Sequence, residues 1–277
     1  MFFYLLNIFA AFTGGVVNAA LFFFKHSDSS ALILKTILLF ISGLAAGFII
    51  AFVLIWIFFI IAAGAVNPNK EYTTVSKFYH WVFASWYEYI NCIARVKIKT
   101  TGMENIPKDK RFLIVSNHRS AFDVFVQTVA LKHEPIGVIS KPENFNLPLA
   151  KGFMTRNLYL SLDRDDVKKA LGTILKAISL LKNNITSISV FPEGTRSKTG
   201  ELGEFKPGCL KVAESSLCPV VVAVMDGTQN VAKNFPFKKT TVNFDVIKVY
   251  TGDEVEKSNT IDMSAEIHQM MLQKLGK

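Results

Sequence analysis

A histidine and an aspartate five positions apart carry the clearest chemistry in this sequence. His118 and Asp123 follow an apolar run at residues 112–115. Positions i and i+5 of a regular helix differ by about 140° around its axis, so both side chains cannot face one substrate from an unbroken helix. Ser120 is a favourable N-cap residue. It predicts a helix that begins near Ala121 and leaves the histidine on the preceding loop.

This arrangement predicts a His–Asp dyad. From the first helical turn, the Asp123 carboxylate can reach one imidazole nitrogen of His118 and fix its tautomer, so that the other nitrogen is free as a general base. The alternative is a structural turn in which the aspartate stabilises the helix dipole and the histidine only packs. The spacing alone does not decide between these two interpretations.

A second loop places a carboxylate, a glycine and a guanidinium side by side. Glu193, Gly194 and Arg196 follow another strand-like run. A guanidinium binds phosphate oxygens through two parallel hydrogen bonds, and glycine permits a conformation or a close approach that a side chain would block. Two roles stay open for the glutamate, which can hold the loop in shape or contact a hydroxyl group of the substrate.

The charge of the chain is unevenly distributed. Residues 1–66 contain only Lys25, Lys35 and Asp28 as formal charges, a balance of +1, so +8 of the net +9 lies on residues 67–277. A basic part beside an apolar part favours an anionic membrane surface or a phosphorylated substrate over nucleic acid, for which the sequence has no recognition module.

The cysteines predict neither a disulfide framework nor a metal site. Cys92, Cys209 and Cys218 are odd in number and lack the spacing of metal ligands. We interpret them as reduced thiols that pack as small hydrophobes, which is typical of a domain facing the cytosol.

The first 66 residues predict a membrane helical hairpin. Residues 2–24 carry no charge and are long enough to cross a bilayer core. A second apolar run, residues 36–66, exceeds the roughly twenty residues that span, which implies tilt, a break near Gly43 or Gly47, or a hairpin that enters one leaflet only. A cleaved signal peptide is disfavoured because no basic segment precedes the first run. The many Lys and Arg that follow favour a cytoplasmic location for the rest of the chain.

Residues 67–94 predict an amphipathic helix rich in aromatic side chains. Two interpretations stay open: an interfacial helix at the level of the lipid headgroups, or a helix face that packs on the next domain. Its apolar residues recur every three or four positions: Val75, Phe78, Tyr79, Val82, Phe83, Trp86, Tyr89, Ile90 and Ile93.

Residues 95–277 have the pattern of an α/β domain. The predicted strands are 96–99, 112–115, 136–140, 187–191, 220–224 and 242–250, and the predicted helices are 121–132, 165–182 and 264–275. Strands 187–191 and 220–224 are short, apolar and β-branched, as expected of central strands covered on both faces. The helix 165–182 carries a stripe of Val167, Leu171, Ile174, Leu175, Ile178 and Leu181.

Together these blocks resemble the glycerolipid acyltransferase superfamily, in particular the 1-acylglycerol-3-phosphate acyltransferases. The resemblance covers residues 95–252 and is carried by blocks in the family's order: 102–107 with 117–123, 140–142 through 162–164, 193–196 with 205–208, and 218–222. The second block departs from the family pattern. Residues 159–164 read Tyr-Leu-Ser-Leu-Asp-Arg instead of a Gly-Phe form, and Lys141 is followed by proline, so the resemblance does not define the contacts of this loop or the acceptor specificity.

The resemblance implies a fold and an activity. It implies a mixed central sheet flanked by helices, and transfer of a fatty acyl group from an acyl thioester to the sn-2 hydroxyl of 1-acyl-glycerol-3-phosphate (lysophosphatidic acid), giving phosphatidic acid. His118 would be the base, oriented by Asp123. No cofactor or metal is implied, because acyl-CoA or acyl-carrier protein is a substrate that donates the acyl group. The expected partners are these substrates and the lipid bilayer.

The resemblance also implies a set of substrate-binding residues. Arg196 and Lys141 are the best phosphate ligands, with Arg164 as a third. Backbone N–H groups near the second loop, or at the helix after Ser120, are candidates for stabilising the oxyanion. The full predicted set is Arg196, Glu193, Gly194, Thr195, Lys141, Arg164, Asn117, Arg119 and Ser120.

Alternative functions stay open at this point. The acceptor can instead be glycerol 3-phosphate or another lysophospholipid. A serine hydrolase using Ser116 or Ser120 lacks the usual G-x-S-x-G elbow and would release free fatty acid without an acceptor. A non-enzymatic binder of lipid phosphates would bind substrate without turnover.

Overall fold

The computed structural model describes residues 1–25, 32–147, 149–197 and 200–276. The chain divides into two compact units, Met1–Ala65 and Val66–Lys277.

Two long apolar helices form the first unit. Helix α1 spans Phe2–Lys25 and helix α2 spans Leu32–Gly64. Both are long and apolar enough to cross a membrane. The break considered near Gly43 or Gly47 does not occur, because both glycines lie inside the continuous helix α2.

Small residues allow α1 and α2 to approach closely. A Cβ atom added at Gly43 would lie 2.9 Å from the Cβ of Asn18. The Asn18 side chain itself donates hydrogen bonds to the Leu39 carbonyl at 2.9 Å and to the Ser42 hydroxyl at 3.1 Å. Close backbone approach and interhelical hydrogen bonds are the interactions that hold apolar helices together where no hydrophobic effect is available.

Seven strands form one mixed sheet in the part of the second unit that the structure describes. The order is β1-β7-β6-β2-β5-β3-β4. Strands β6, β2, β5, β3 and β4 are parallel to one another, whereas β7 and β1 run in the opposite direction. The bounds are β1 Val96–Thr101, β2 Leu113–Ser116, β3 Ile136–Ser140, β4 Leu160–Ser161, β5 Ser187–Val190, β6 Val220–Asp226 and β7 Thr240–Tyr250.

Helices cover both faces of this sheet, which confirms the predicted fold class. Their bounds are α3 Lys77–Ile93, α4 Phe122–Ala130, α5 Ala150–Arg156, α6 Val167–Lys182, α7 Lys211–Ser216, α8 Val231–Asn234, α9 Gly252–Lys257 and α10 Thr260–Lys274. Alternate residues in and just before β2 enter two different apolar clusters, with Leu113 and Val115 in one and Phe112 and Ile114 in the other. Both faces of the central strands are buried, so most of their residues are apolar, with Ser116, Ser187 and Ser189 as buried polar exceptions.

Helix α3 packs within the second unit through its aromatic residues. The Phe83 ring stacks on the Phe153 ring of α5 at a centroid distance of 5.9 Å, and the Tyr87 ring stacks on the Phe125 ring of α4 at 4.5 Å. Trp81 lies on the exposed side of the helix. The same helix therefore presents aromatic side chains both to the protein and to its surroundings.

Helix α6 buries only part of the stripe that its sequence suggests. Ala177, Leu180 and Leu181 are buried, whereas Leu171 and Leu175 are exposed. Ile174 and Ile178 pack partly buried against the core, so the buried face covers one side of the stripe and extends to Ala177. Its neighbours, α7 and β5, accommodate a small residue at position 177.

We expect the glycine contacts to determine the stability of the helical pair. Gly43→Ala forces the helices apart and should lower the free energy of unfolding by about 1–3 kcal/mol. Gly64 lies in the same helix, and a Cβ atom added there would have no neighbouring atom within 4 Å among the described residues. Gly64→Ala should leave the stability unchanged or raise it by up to about 1 kcal/mol. Thermal unfolding of the full chain in detergent, followed by circular dichroism, compares the two, and equal midpoints would contradict the packing argument.

Candidate active site

The ends of parallel strands bring the predicted site residues to one edge of the sheet. Parallel strands end on the same side, and neighbouring strands lie about 4.8 Å apart. Strands β2, β5, β3 and β4 are neighbours in that order. The loops that follow them carry His118, Glu193–Arg196, Lys141 and Arg164, respectively.

The His118 and Asp123 side chains are joined by a hydrogen bond. Nδ1 of the imidazole lies 2.8 Å from Oδ2 of the carboxylate. The aspartate side chain is fully buried and the histidine side chain is 18% exposed. Nε2 has no hydrogen-bond partner among the described residues. The ring therefore has one nitrogen held by the aspartate and one free to exchange a proton with a substrate.

The same carboxylate oxygen also organises the loop. Asp123 Oδ2 accepts hydrogen bonds from the backbone N–H groups of Arg119 and Ser120, each at 2.7 Å. Helix α4 begins at Phe122, one residue later than predicted, and its N-cap is Ala121 instead of the predicted Ser120. The Ser120 hydroxyl accepts the Phe122 N–H at 3.2 Å. The predicted break between His118 and Asp123 is therefore present, and the aspartate caps the loop as well as orienting the imidazole.

Asn117 fastens the loop to strand β6. Its side-chain amide donates to the Met225 carbonyl and accepts from the Met225 N–H, both at 2.8 Å. The residue is completely buried. Both of its polar atoms pair with the backbone of β6, so this side chain has no surface to offer a substrate, and it positions His118 instead of making the substrate contact expected from sequence.

Glu193 connects the second loop to the backbone of the histidine. One carboxylate oxygen accepts the His118 N–H at 2.6 Å, and the other accepts the Gly203 N–H at 2.9 Å. Only 6% of this residue is exposed. Burial raises the pKa of the Glu193 carboxyl above its ordinary value, and the two N–H donors partly offset the rise. Of the two roles left open for Glu193, the structural one agrees with these contacts.

Two further contacts hold His118 from the same loop. The Ser197 N–H donates to the His118 carbonyl at 2.9 Å. The imidazole ring stacks on the Phe191 ring at a centroid distance of 4.2 Å. The histidine is thus bonded at its backbone N–H, its carbonyl and its side chain, which leaves its orientation little freedom.

Gly194 lies directly beneath the guanidinium of Arg164. The glycine has a φ of +71°, and a Cβ added there would lie 2.6 Å from Nη1 of Arg164. A side chain at position 194 would therefore be strained and would displace the arginine. The loop after β4 and the loop after β5 meet here, as the predicted pairing of Arg164 with Arg196 in one site requires.

The remaining predicted residues differ in whether their side chains are free to bind a ligand. Arg196, Thr195 and Lys141 are exposed. Arg119 is not free, because its guanidinium donates to Asp226 Oδ1 at 2.6 Å and to the Gly200 carbonyl at 2.8 Å. Arg119 therefore braces the loop against the end of β6, whereas the exposed cations are available to an anionic ligand.

The comparisons with known proteins indicate an acyltransferase domain. The family profile described as Acyltransferase matches residues 97–226. A chloroplastic 1-acyl-sn-glycerol-3-phosphate acyltransferase of Arabidopsis thaliana is 31% identical over 189 residues, covering 68% of this chain and 50% of the relative. A 1-acyl-sn-glycerol-3-phosphate acyltransferase of Borreliella burgdorferi is 28% identical over 190 residues, covering 66% of this chain and 73% of the relative. Residues 97–226 therefore carry an acyltransferase domain, and the chain is similar to 1-acyl-sn-glycerol-3-phosphate acyltransferases.

A solved structure shares the fold of this chain. The crystal structure of the 1-acyl-sn-glycerophosphate acyltransferase from Thermotoga maritima superposes with a TM-score of 0.63 at 22% identity, covering 83% of this chain and 91% of that one. The chain spans about half the length of the plant relatives that it matches, 50% and 43% in two cases.

The structure also contains a buried chain of polar side chains behind the dyad, which the sequence pattern did not predict. The Ser116 hydroxyl donates to the Gln127 side chain at 3.1 Å, and the Gln127 amide donates to the Ser189 hydroxyl at 2.6 Å. These side chains tie β2, α4 and β5 together beneath His118. A polar residue at an otherwise apolar helix position, such as Gln127, is the signal that points to such a chain.

A second missed support comes from the terminal helix. Nε2 of His268 lies 3.2 Å from the Gly203 carbonyl, and the Phe205 ring packs edge-on against the His268 ring. Gly203 is the residue whose N–H reaches Glu193. No local motif marks this histidine, because its role depends on α10 lying beside a loop far from it in sequence.

We expect the stability of the loop to depend on both oxygens of Glu193. Glu193→Gln replaces one acceptor with an NH₂ group that faces an N–H donor. It should lower the free energy of unfolding by about 1–3 kcal/mol. Glu204→Gln, on an exposed residue of the same segment, should change it by less than about 0.5 kcal/mol. Urea unfolding measures both, and equal stabilities for the two variants would contradict the bridging role.

Proposed function

We propose that this protein transfers a fatty acyl group from an acyl thioester to the sn-2 hydroxyl of 1-acyl-glycerol-3-phosphate and forms phosphatidic acid. The observation that carries the proposal is the 2.8 Å hydrogen bond between His118 Nδ1 and Asp123 Oδ2, at the sheet edge that also carries Arg164 and Arg196. The names of the relatives support the same reaction.

His118 acts as the general base in this proposal. Nε2 removes the proton of the sn-2 hydroxyl while the oxygen attacks the thioester carbonyl and forms the new C–O bond. The tetrahedral intermediate then collapses, the C–S bond breaks, and the protonated imidazole returns its proton to the leaving thiolate. Asp123 stabilises the imidazolium and fixes the tautomer. No cofactor takes part, because the thioester of acyl-CoA or acyl-carrier protein supplies the acyl group.

Arg196, Lys141 and Arg164 bind the phosphate of the acceptor. Guanidinium groups suit phosphate because two N–H donors reach two oxygens at once, and an ammonium adds a point charge. The contact of Arg164 with Gly194 supports a shared site, since it brings the loops after β4 and β5 together. Anchoring the phosphate converts the attack of the hydroxyl into an intramolecular step beside His118.

The oxyanion is stabilised by backbone N–H groups of the second loop. Near the helix, the N–H groups of Arg119 and Ser120 already bond to Asp123, which removes them as candidates. The N–H groups of Thr195 and Arg196 have no acceptor within the described part of the chain. Preorganised donors that are not used in the resting protein are the ones available to developing negative charge.

We further propose that helices α1 and α2 insert into a bilayer, either across it or into one leaflet, and that the second unit lies on the cytoplasmic side. Their length and apolarity support insertion. The concentration of Lys and Arg after residue 67 supports the cytoplasmic side. Protease accessibility of the second unit in sealed membrane vesicles tests this orientation.

The activity is tested with purified full-length protein in detergent. Labelled lysophosphatidate and glycerol 3-phosphate are each supplied with acyl-CoA or acyl-carrier protein in turn. Labelled phosphatidic acid from lysophosphatidate is the expected product. Preferential acylation of glycerol 3-phosphate, release of free fatty acid without an acceptor, or binding without turnover would each overturn the proposal.

Loss of the base should abolish transfer in a folded protein. His118→Ala should lower the turnover rate by about 10²–10⁴-fold. Asp123→Asn should cause a loss of similar order, because an amide that donates to Nδ1 favours the tautomer with the proton on Nε2. His133→Ala, on an exposed histidine, is the matched control and should retain full activity. Initial rates at saturating substrate distinguish these variants, and an active His118→Ala would exclude the base.

The effect of removing a phosphate-binding arginine should depend on whether the acceptor carries a phosphate. Arg196→Ala and Arg164→Ala should each lower kcat/KM for lysophosphatidate by about 10- to 100-fold, as removal of charge-assisted hydrogen bonds does. The effect should be much smaller with 1-acylglycerol, which lacks the phosphate. Lys257→Ala, an exposed cation on α9, is the control. Equal losses with both acceptors would argue against phosphate binding by these arginines.

A further inference from the structure

A loop of two phenylalanines and two lysines lies at the same edge of the sheet as the site. Strands β7 and β1 run opposite to β6, and Asp226 at the end of β6 pairs with Asn243 of β7. Residues that precede β7 therefore extend beyond the end of β6, at the edge where β2 and β5 also end. Residues 235–239, which we name the aromatic loop, read Phe-Pro-Phe-Lys-Lys and lead directly into β7.

The aromatic loop exposes its rings although its backbone is firmly held. Phe237 is 84% exposed and Phe235 is 48% exposed. The Arg95 guanidinium donates to the Phe237 carbonyl at 3.0 Å, and the Lys238 N–H donates to the Asn234 carbonyl at 2.8 Å. A single exposed apolar side chain needs no explanation. Two aromatic rings that project from one hydrogen-bonded loop form a small exposed apolar patch. Exposed apolar patches can mark interaction sites.

Cations surround this apolar patch. Lys238 and Lys239 follow the rings in sequence and are exposed. Lys97 and Lys99 lie on the adjacent edge strand β1, where Lys97 pairs with Thr241 and Lys99 with Asn243, and both are exposed. None of these four lysines has an ion-pair partner among the described residues. Asp226, an acid at the end of β6, is already paired with Arg119.

We propose that the aromatic loop and these lysines form a docking surface for an anionic phospholipid bilayer. Aromatic rings are favoured at the level of the headgroups, and lysines around them are attracted to anionic lipids. A protein partner is less well matched, since the patch is small and surrounded by charges of one sign, whereas interface cores are depleted of lysine.

The role of this docking surface in catalysis rests on the proposed function. The acceptor is a lipid with its phosphate at the bilayer surface. An aromatic loop at the active-site edge would hold that edge against the surface where the phosphate lies. Docking would thus shorten the path of the acceptor from the bilayer to His118, and it would act in addition to any insertion of α1 and α2.

Contact with lipid is tested directly by photo-crosslinking in the full chain. Phe237 is replaced by p-benzoylphenylalanine, and the protein is reconstituted into nanodiscs of phosphatidylcholine mixed with phosphatidylglycerol. Ile261, an apolar residue of α10 that is 63% exposed, carries the same probe in the control. We expect phospholipid adducts at position 237 and few at position 261 by mass spectrometry. Equal yields, or adducts to a second protein chain at position 237, would overturn the proposal.

The functional consequence is tested by charge reversal. K238E/K239E should slow acylation of lysophosphatidate embedded in the same anionic nanodiscs by about tenfold, because each lysine near an anionic surface contributes severalfold to its affinity. The variant should retain the parent rate with a short-chain, water-soluble lysophosphatidate. K108E/K110E makes the same change at exposed positions before β2, on the opposite edge, and should match the parent on both substrates.

The outcomes separate this inference from the proposed function. If the parent protein transfers no acyl group, the proposed function fails, while the crosslinking result still tests the docking surface. If K238E/K239E slows both substrates equally, or matches K108E/K110E on embedded substrate, the aromatic loop does not dock the protein on the bilayer.

Discussion

The buried carboxylate of Glu193 is the interaction on which the arrangement of the site depends. It joins the backbone N–H of His118, on the loop after β2, to the N–H of Gly203 at 2.6 and 2.9 Å. A buried charge is tolerated only where hydrogen bonds compensate for the loss of water, and here two N–H donors do so. The same constraint makes the two segments interdependent, because moving either one would leave one carboxylate oxygen without its donor.

The rest of the site follows the same logic of paired buried polar groups. Asp123 uses one oxygen for the imidazole and for two backbone N–H groups. Asn117 mimics a strand partner for Met225, and Gln127 links two serines under the dyad. Such paired groups favour one geometry, although Asp123 Oδ1 is buried without a hydrogen-bond partner among the described residues. The cations Arg164 and Arg196 lie outside this network and are exposed.

Several features were predictable because they depend on local chemistry. Strand β3 was predicted with its observed bounds, and the break between His118 and Asp123 follows from helix geometry. Other features were not predictable from local patterns. The two-residue strand β4 is too short to carry a pattern, and α6 buries the face around Ala177 while Leu171 remains exposed. Which face of a helix is buried depends on the neighbours that it meets.

The sequence by itself determined which groups are available: an imidazole, its carboxylate, a glycine-containing loop and cations placed after separate strands, together with two long apolar segments. The tertiary structure alone decided their use. In the folded chain, Glu193 accepts the His118 N–H and Asn117 bonds to the backbone of β6. His268 of α10 contacts the Gly203 carbonyl, and the aromatic loop lies at the end of the sheet that carries the candidate site. The physical reason is that residue types and spacings report local conformational preferences, whereas contacts between distant segments depend on strand order and direction, which local patterns do not encode.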